Sequence, residues 1–229
     1  MTTDNDLASA LSSALAPIFR GRFCDVLLPN RSAIAFAEDE IMYEMGATER
    51  TFFFIRHGVV KTGTITDSGR ELIFDIRKDG DVVGELCALE AVRADRAVAL
   101  EQTEAVAIPF DEIVTTLAKH PELLGDFVAV FCNALSAAYE QVNRLAAGNV
   151  EQRLVNVLKS LARKHGRPLG KLLEIPTYLT QEELSQMVAA RRERVSTSLN
   201  SLRRRGIAQY STRGHLLVDL KALEEIVPE

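Results

Sequence analysis

Tyr178-Leu-Thr-Gln-Glu-Glu-Leu-Ser-Gln-Met-Val-Ala-Ala-Arg-Arg-Glu-Arg-Val-Ser-Thr-Ser-Leu-Asn-Ser-Leu-Arg-Arg-Arg205 reads as two short helices joined by a tight turn. Thr180 followed by Glu183 is a capping box: hydroxyl and carboxylate each satisfy an amide at the helix start. A helix therefore begins near Gln181, with Leu184, Met187 and Val188 as its apolar stripe. The break falls at Ala189-Ala190-Arg191, after which Val195, Leu199 and Leu202 restart a stripe at helical spacing. Two helices of this size around a three-residue turn predict a helix-turn-helix.

Working outward, Gly206-Ile-Ala-Gln-Tyr and Leu216-Leu-Val-Asp flank Ser211-Thr-Arg-Gly-His, which predicts a hairpin, and so a wing beside the two helices. Leu220 to Val227 predicts a terminal helix, and Val150 to about Lys164 a preceding one, with Gly166-Arg-Pro-Leu-Gly read as a loop. Between 121 and 147 lies the clearest long helix. Leu124, Val128, Phe131, Leu135, Ala138, Val142 and Leu145 advance by alternating steps of four and three, a seam sustained for three heptads. Such a narrow stripe fits either a helix packed on its own domain or a parallel homodimer, and the second is the expectation carried forward. Gly148-Asn149 ends that helix as a hinge.

From Phe23 to Pro109 the pattern changes to short β-rich runs, at 25–28, 32–36, 41–44, 51–55, 59–63, 71–76, 82–83 and 97–100. Glycines 46, 58, 69, 80 and 84 sit between these runs, where tight corners favour positive φ. Many short strands at near-regular spacing predict a β-sandwich or a barrel-like β-roll. Ahead of it, Leu7, Leu11, Leu15 and Ile18 predict an amphipathic helix over 6–19. The expected class is α+β in three parts: helix and roll over 1–120, a dimerisation helix over 121–148, and a winged helix-turn-helix over 149–229.

The 229 residues suffice for two cores. The formal charge of -5 conceals a polarity, because the chain from Glu151 carries 14 Lys/Arg against 9 Asp/Glu and the chain before it 13 against 23. The basic end is the candidate nucleic-acid binder. An acidic first part would be repelled by the duplex. No uninterrupted apolar run approaches the roughly 20 residues of a membrane span, and the acidic start is unlike a signal peptide, so a cytoplasmic protein without a membrane partner is expected. Cys24, Cys87 and Cys132 are too few and too widely spaced for a disulfide framework or a four-thiolate cluster, and the four histidines are scattered singly. No metal site and no nucleophile–base pair is visible, so the chain is not read as an enzyme.

With roll, seam helix and winged reader in this order, the sequence resembles the Crp/Fnr family of bacterial transcription regulators over nearly its whole length. The residues that carry the resemblance are Gly46, Phe54-Ile-Arg-His-Gly58, Asp79-Gly-Asp-Val-Val-Gly-Glu-Leu86, Arg96-Ala97-Val98 and the segment from Val188 to Leu199. The resemblance implies an effector-binding roll, a homodimer, a palindromic double-stranded DNA operator and RNA polymerase as a partner. A signal at the roll would act on the readers through the long helix and its hinge.

Gly84, Glu85 and Leu86 with Arg96 and Ala97 resemble the phosphate-binding cassette of cyclic nucleotide-binding domains, in which Glu85 would hold a ribose hydroxyl and Arg96 the phosphate of cyclic AMP or cyclic GMP. Ala97 departs from the Ser or Thr of bacterial cyclic-AMP receptors, although Arg-Ala occurs in the regulatory subunits of cyclic-AMP-dependent kinases. Where those receptors offer a Thr-Ser pair to adenine, this chain has Ala138-Tyr139, which places Tyr139 at an altered base contact. Two uses of the cassette stay open: a nucleotide site, or a structural corner in which Glu85 and Arg96 are ion-paired with each other or with neighbours such as Asp95. An effector-independent regulator with a vestigial cassette, and a redox sensor on Cys87, are the alternatives.

In the reader, the resemblance puts Arg192 on guanine and Glu193 on cytosine, chemistry that the guanidinium fork and a carboxylate acceptor allow. Arg191 and Arg194 flank them as phosphate contacts. Thr197 stands where many relatives carry a second base-reading Arg. Thr180, Gln181 and Ser196 complete the expected DNA-facing set, and Arg203, Arg204 and Arg205 would complement the helix dipole and add to the phosphate field.

Overall fold

The computed structural model describes residues 22–88, 92–146 and 148–227. The helix expected over 6–19 lies outside them, as does the side chain of Cys24. By its internal contacts the chain divides into two units: one comprises the described residues up to Thr62 with Arg77–Ala137, the other Gly63–Ile76 with Ala138 onward.

The first unit opens with α1 (Arg22–Leu27), followed by β1 (Ile34–Phe36), β2 (Ile41–Tyr43) and β3 (Thr51–His57); β4 (Val59–Ile65) and β5 (Glu71–Lys78) pass into the second unit between Gly63 and Ile76, and β6 (Val82–Val83) follows. A 3₁₀ turn at Glu85–Ala88 precedes β7 (Arg96–Ala99), β8 (Thr103–Pro109) and α2 (Phe110–Lys119). The strands form two four-stranded sheets, in the orders β1-β8-β3-β6 and β2-β7-β4-β5. Phe52, Phe54, Val82, Val106 and Ile108 build one core with Cys87 and Ile113, while Phe53, Ile55, Val60, Ala97 and Ala105 build another with Phe36 and Tyr43. Side chains of this size gain roughly 1.5–3 kcal/mol each when fully buried. At the tip of β3, Gly58 takes φ 108°, and an added Cβ would lie 2.3 Å from the Thr103 hydroxyl. A side chain is therefore excluded there on both counts.

Three expectations are corrected here. Asp25-Val-Leu-Leu is not a strand: α1 takes in Asp25 to Leu27. A short, mostly apolar run fits a helix turn as well as a strand, and here Leu27 is buried in the core with Leu28 packed partly against it. Thr103–Pro109, not expected as a strand, is the inner strand β8 between β1 and β3. The ten-residue α2 behind it also went unseen.

The long helix is present as a 3₁₀ turn at Pro121–Leu123 followed by α3 (Leu124–Ala146). Leu123, Val130 and, in part, Phe127 and Phe131 pack on the first core. The rest of the seam faces outward: Leu124, Val128, Leu135, Ala138, Val142 and Leu145 are all exposed. An 18-residue window within Pro121–Asn143 reaches a mean hydropathy of 1.2, enough by length and composition for a membrane-crossing helix. Asp126, Asn133 and Ser136 interrupt the apolar run within that segment.

In the second unit Asn149 caps α4 (Val150–His165) through a reciprocal pair: its side chain accepts from the Gln152 amide and its own amide donates to the Gln152 side chain. Both amides would otherwise lack partners at a helix start. The segment read as a loop, 166–170, is instead the start of a hairpin of β9 (Arg167–Leu169) and β10 (Leu172–Ile175). β9 is an edge strand, where Pro168 withholds no ladder donor the sheet needs. Then come α5 (Gln181–Met187), α6 (Arg192–Arg204), β11 (Ala208–Tyr210), β12 (Leu216–Val218) and α7 (Leu220–Ile226), with the sheet ordered β11-β12-β10-β9. The tip of the β4–β5 hairpin belongs to this unit. Arg70 donates to the Ala190 carbonyl at 2.5 Å, Gln186 donates to Glu71 at 3.1 Å, and Lys164 pairs with Asp75 at 3.2 Å.

Candidate DNA-reading surface and effector cassette

The capping box forms as the spacing predicts. Glu183 donates its amide to the Thr180 hydroxyl at 3.1 Å, and the Glu183 carboxylate accepts from the Thr180 amide at 2.8 Å. The Thr180 hydroxyl also donates to that carboxylate, so its proton is used inside the helix start. Leu184 and Met187 of α5 and Val195, Leu199 and Leu202 of α6 are buried, and α6 packs on α4 and α5. The turn between the helices closes when the Ala190 amide donates to the Ser185 carbonyl at 3.0 Å. It requires φ 48° at Ala189, a left-handed conformation on a residue with a Cβ.

With its apolar stripe buried, α6 presents Arg191, Arg192, Glu193, Arg194, Thr197 and Asn200 outward, and Ser196 is half-buried. Among the described residues no carboxylate pairs with Arg191, Arg192 or Arg194. Arg192 lines an open cleft of about 600 Å³ with Thr180, Gln181, Tyr178, Tyr210 and Gly214. The wing closes this cleft. Ser211 Oγ accepts the amides of Arg213 and His215, Gly214 takes φ 80°, and Gly214 lies against the Tyr178 ring. The three C-terminal arginines divide. Arg205 pairs with Glu151 at 2.9 Å and Arg203 bonds Asn200 and lies 5.4 Å from the Tyr210 ring centroid, while Arg204 is exposed.

The cassette segment is organised differently. Gly84 takes φ 88°, and a Cβ there would meet the Thr51 carbonyl at 2.7 Å and Arg93 Nη1 at 2.9 Å. Glu85 is 6% exposed and accepts from Arg77 at 3.4 Å. Arg96 pairs with Glu44 at 3.2 Å. Ala97 is buried in the core, Leu86 is exposed, and Tyr139 is exposed on α3. The centre of the segment is Arg93, 2% exposed. It donates to the Thr51 carbonyl at 2.6 Å and to the Gly84 carbonyl at 3.4 Å, and stacks 3.9 Å over the Tyr43 ring. Tyr43 in turn donates to Asp95 at 2.8 Å. Burial pushes the Asp95 carboxyl above its ordinary range, against the lowering effect of the Tyr43 bond and of Arg93. The Tyr43 phenol is pushed well up by burial and then by the Asp95 charge.

Cys87 lies in the same corner but is buried, with its thiol turned to the Thr51 carbonyl at 3.8 Å. Burial pushes its pKa up, with Arg93 and Arg50 opposing. That is the reverse of the depressed thiol a redox sensor needs.

A cyclic nucleotide-binding domain model matches residues 33–120, and a Crp-like helix-turn-helix domain model matches residues 152–226. The chain belongs to the Crp/Fnr family of transcription regulators. A CRP-like cAMP-activated global transcriptional regulator of Mycobacterium tuberculosis is 27% identical to this Crp/Fnr chain over 191 residues, covering 83% of it and 85% of the relative. A CRP/FNR-family regulator from Thermus thermophilus superposes with a TM-score of 0.68 at 22% identity, covering 86% and 98% of the two chains. The c-di-GMP-responsive regulator CLP of Xanthomonas campestris does so with a TM-score of 0.72 at 19% identity, covering 86% and 97%.

In this Crp/Fnr chain the residues expected to read DNA, Arg191, Arg192, Glu193, Arg194 and Thr197, are all exposed; Arg192 shares its cleft with Gln181, Arg191 and Arg194 line a second and Thr197 a third. Of the cassette residues, Glu85 is paired with Arg77 and Arg96 with Glu44. Arg93 and Tyr43 were missed from sequence. The alternation Arg93-Ala-Asp95-Arg96 ahead of a strand was the only local signal, because the groups that hold Arg93 lie far away in sequence at Tyr43, Thr51 and Gly84.

Proposed function

We propose that the protein is a homodimeric, sequence-specific regulator that addresses a two-fold-symmetric operator by placing α6 in the major groove. The observation that carries this is the exposed Arg192-Glu193 pair on a helix whose opposite side is buried. A guanidinium free of carboxylate partners can take guanine O6 and N7 together, and a neighbouring carboxylate can accept from cytosine N4. Arg191 and Arg194 would hold phosphates, and half-sites would lie about one helical turn, roughly 34 Å, apart. The outward face of α3 supports dimerisation: Leu124, Val128, Leu135 and Val142 are each about half exposed or more, at heptad spacing. RNA polymerase is the expected partner at promoters. Selection of bound duplexes from a random pool tests the reading. A palindromic motif containing G·C steps in each half-site is expected, and recovery of no motif would refute it.

The roll has two readings. A cyclic nucleotide effector is supported by the domain model and by the cAMP-activated relative. An effector-independent regulator with a structural cassette is favoured by the pairing of Glu85 with Arg77 and Arg96 with Glu44, and by Arg93 occupying the space beside Gly84. On the second reading, operator binding is unchanged by millimolar cyclic AMP or cyclic GMP and calorimetry detects no binding. Heat of binding together with tighter operator binding would establish the first.

A further inference from the structure

We infer that Thr197 reads an A·T pair, recognising thymine through its 5-methyl group. The inference rests on α6 being the base-reading helix and goes beyond it by naming the base and the contact. Thr197 lies one turn beyond Glu193 and is exposed on the same face as Glu193 and Asn200. Its hydroxyl donates to the Glu193 carbonyl at 2.9 Å. A threonine hydroxyl has one proton, and here the helix backbone holds it. What remains for the groove is the Cγ2 methyl and an oxygen that can only accept.

Base edges sort against that pair of groups. Guanine presents the acceptors N7 and O6, which need a donor that Thr197 no longer has. Cytosine offers a donor at N4 but no methyl. An A·T pair offers both complements, the adenine N6 donor and the thymine C5-methyl. Thr197 thus replaces a fork-shaped guanine reader with an apolar contact, and discrimination of this type has the size of one buried methyl, about fourfold per half-site.

The experiment takes the full-length protein and the duplex recovered by selection, then replaces each thymine of a half-site in turn with deoxyuridine, which removes only the methyl. Wild type and Thr197→Val, which keeps a methyl and lacks the hydroxyl, should each lose about fourfold at one position. Thr197→Ser, which keeps the hydroxyl and lacks the methyl, should bind thymine and deoxyuridine duplexes alike. Because the ratio is taken within each variant, a general loss of affinity cancels. Equal binding of both duplexes by wild type at every position, or retained discrimination by Thr197→Ser, overturns the inference while leaving base reading by α6 intact. Failure of any motif to emerge from selection overturns both.

Discussion

The arginines of the roll and those of α6 are the same side chain put to opposite uses. In the cassette corner Arg77, Arg93 and Arg96 are turned inward on carboxylates, carbonyls and a tyrosine ring. On α6, Arg191, Arg192 and Arg194 are exposed and meet no carboxylate among the described residues. A guanidinium bonded within its own domain stabilises that domain and must break those bonds to hold a ligand. One left in water contributes little to folding and is available to an incoming phosphate or base. On the function proposed above, the difference separates residues that keep a shape from residues that would recognise DNA.

The harshest way to break the comparison is Arg93→Ala. It takes the guanidinium donor from the Thr51 and Gly84 carbonyls and one of two nearby cations from the buried Asp95, a loss of about 3–5 kcal/mol for a buried charge partner. Urea unfolding checks this, and an effect below about 1 kcal/mol would mean that Arg93 is not structural. Arg192→Ala should leave stability unchanged while costing about 1–3 kcal/mol on the selected operator and little on random duplex. Arg194→Ala should weaken both duplexes alike and lower the salt slope by about one, read from titrations at several salt concentrations. Equal losses on cognate and random DNA for Arg192→Ala would move that residue to the phosphate class.

A smaller effect, of opposite sign, is expected in the turn. Ala189→Gly removes a left-handed alanine and should stabilise the protein by about 1 kcal/mol, visible as a raised thermal midpoint. The smallest effect concerns Asp95. Its folded pKa is raised above the unfolded value, so the folded state retains the proton longer. This group then favours folding as pH falls through the raised value and opposes it as pH rises from the ordinary carboxylate range. Asp95→Asn should flatten that slope, by at most one proton's worth, in unfolding curves collected from neutral pH downward.

Legibility in the sequence followed the range of the interactions. The Thr180–Glu183 box, the α6 stripe, the wing and the seam of α3 are set by residues within a few positions of one another, and each was readable. Positive φ at glycines 46, 58, 69, 80 and 84 was readable for the same reason. β8 was not, since Thr, Val and Ile are mixed there with Glu, two Ala and a terminal Pro, and pairing with β1 and β3 on either side holds it as a strand. The β9–β10 hairpin was hidden by Pro168, which reads as a breaker unless its edge position is known. In the cassette, Glu85 and Arg96 were legible as residues but not as partners, because Arg77 on β5 and Glu44 just past β2 reach them from elsewhere in the chain.

The tip of the β4–β5 hairpin sets a limit on how the molecule can be dissected. Residues 63–76 are separated by more than sixty positions of sequence from the rest of their unit, yet Arg70, Glu71 and Asp75 bond to Ala190, Gln186 and Lys164. A fragment cut cleanly at Ala138 would carry the whole DNA-reading surface and leave those three positions open. The reader is contiguous in sequence, but the unit that contains it is not, so a minimal DNA-binding piece of this chain would have to be built by stitching rather than by truncation.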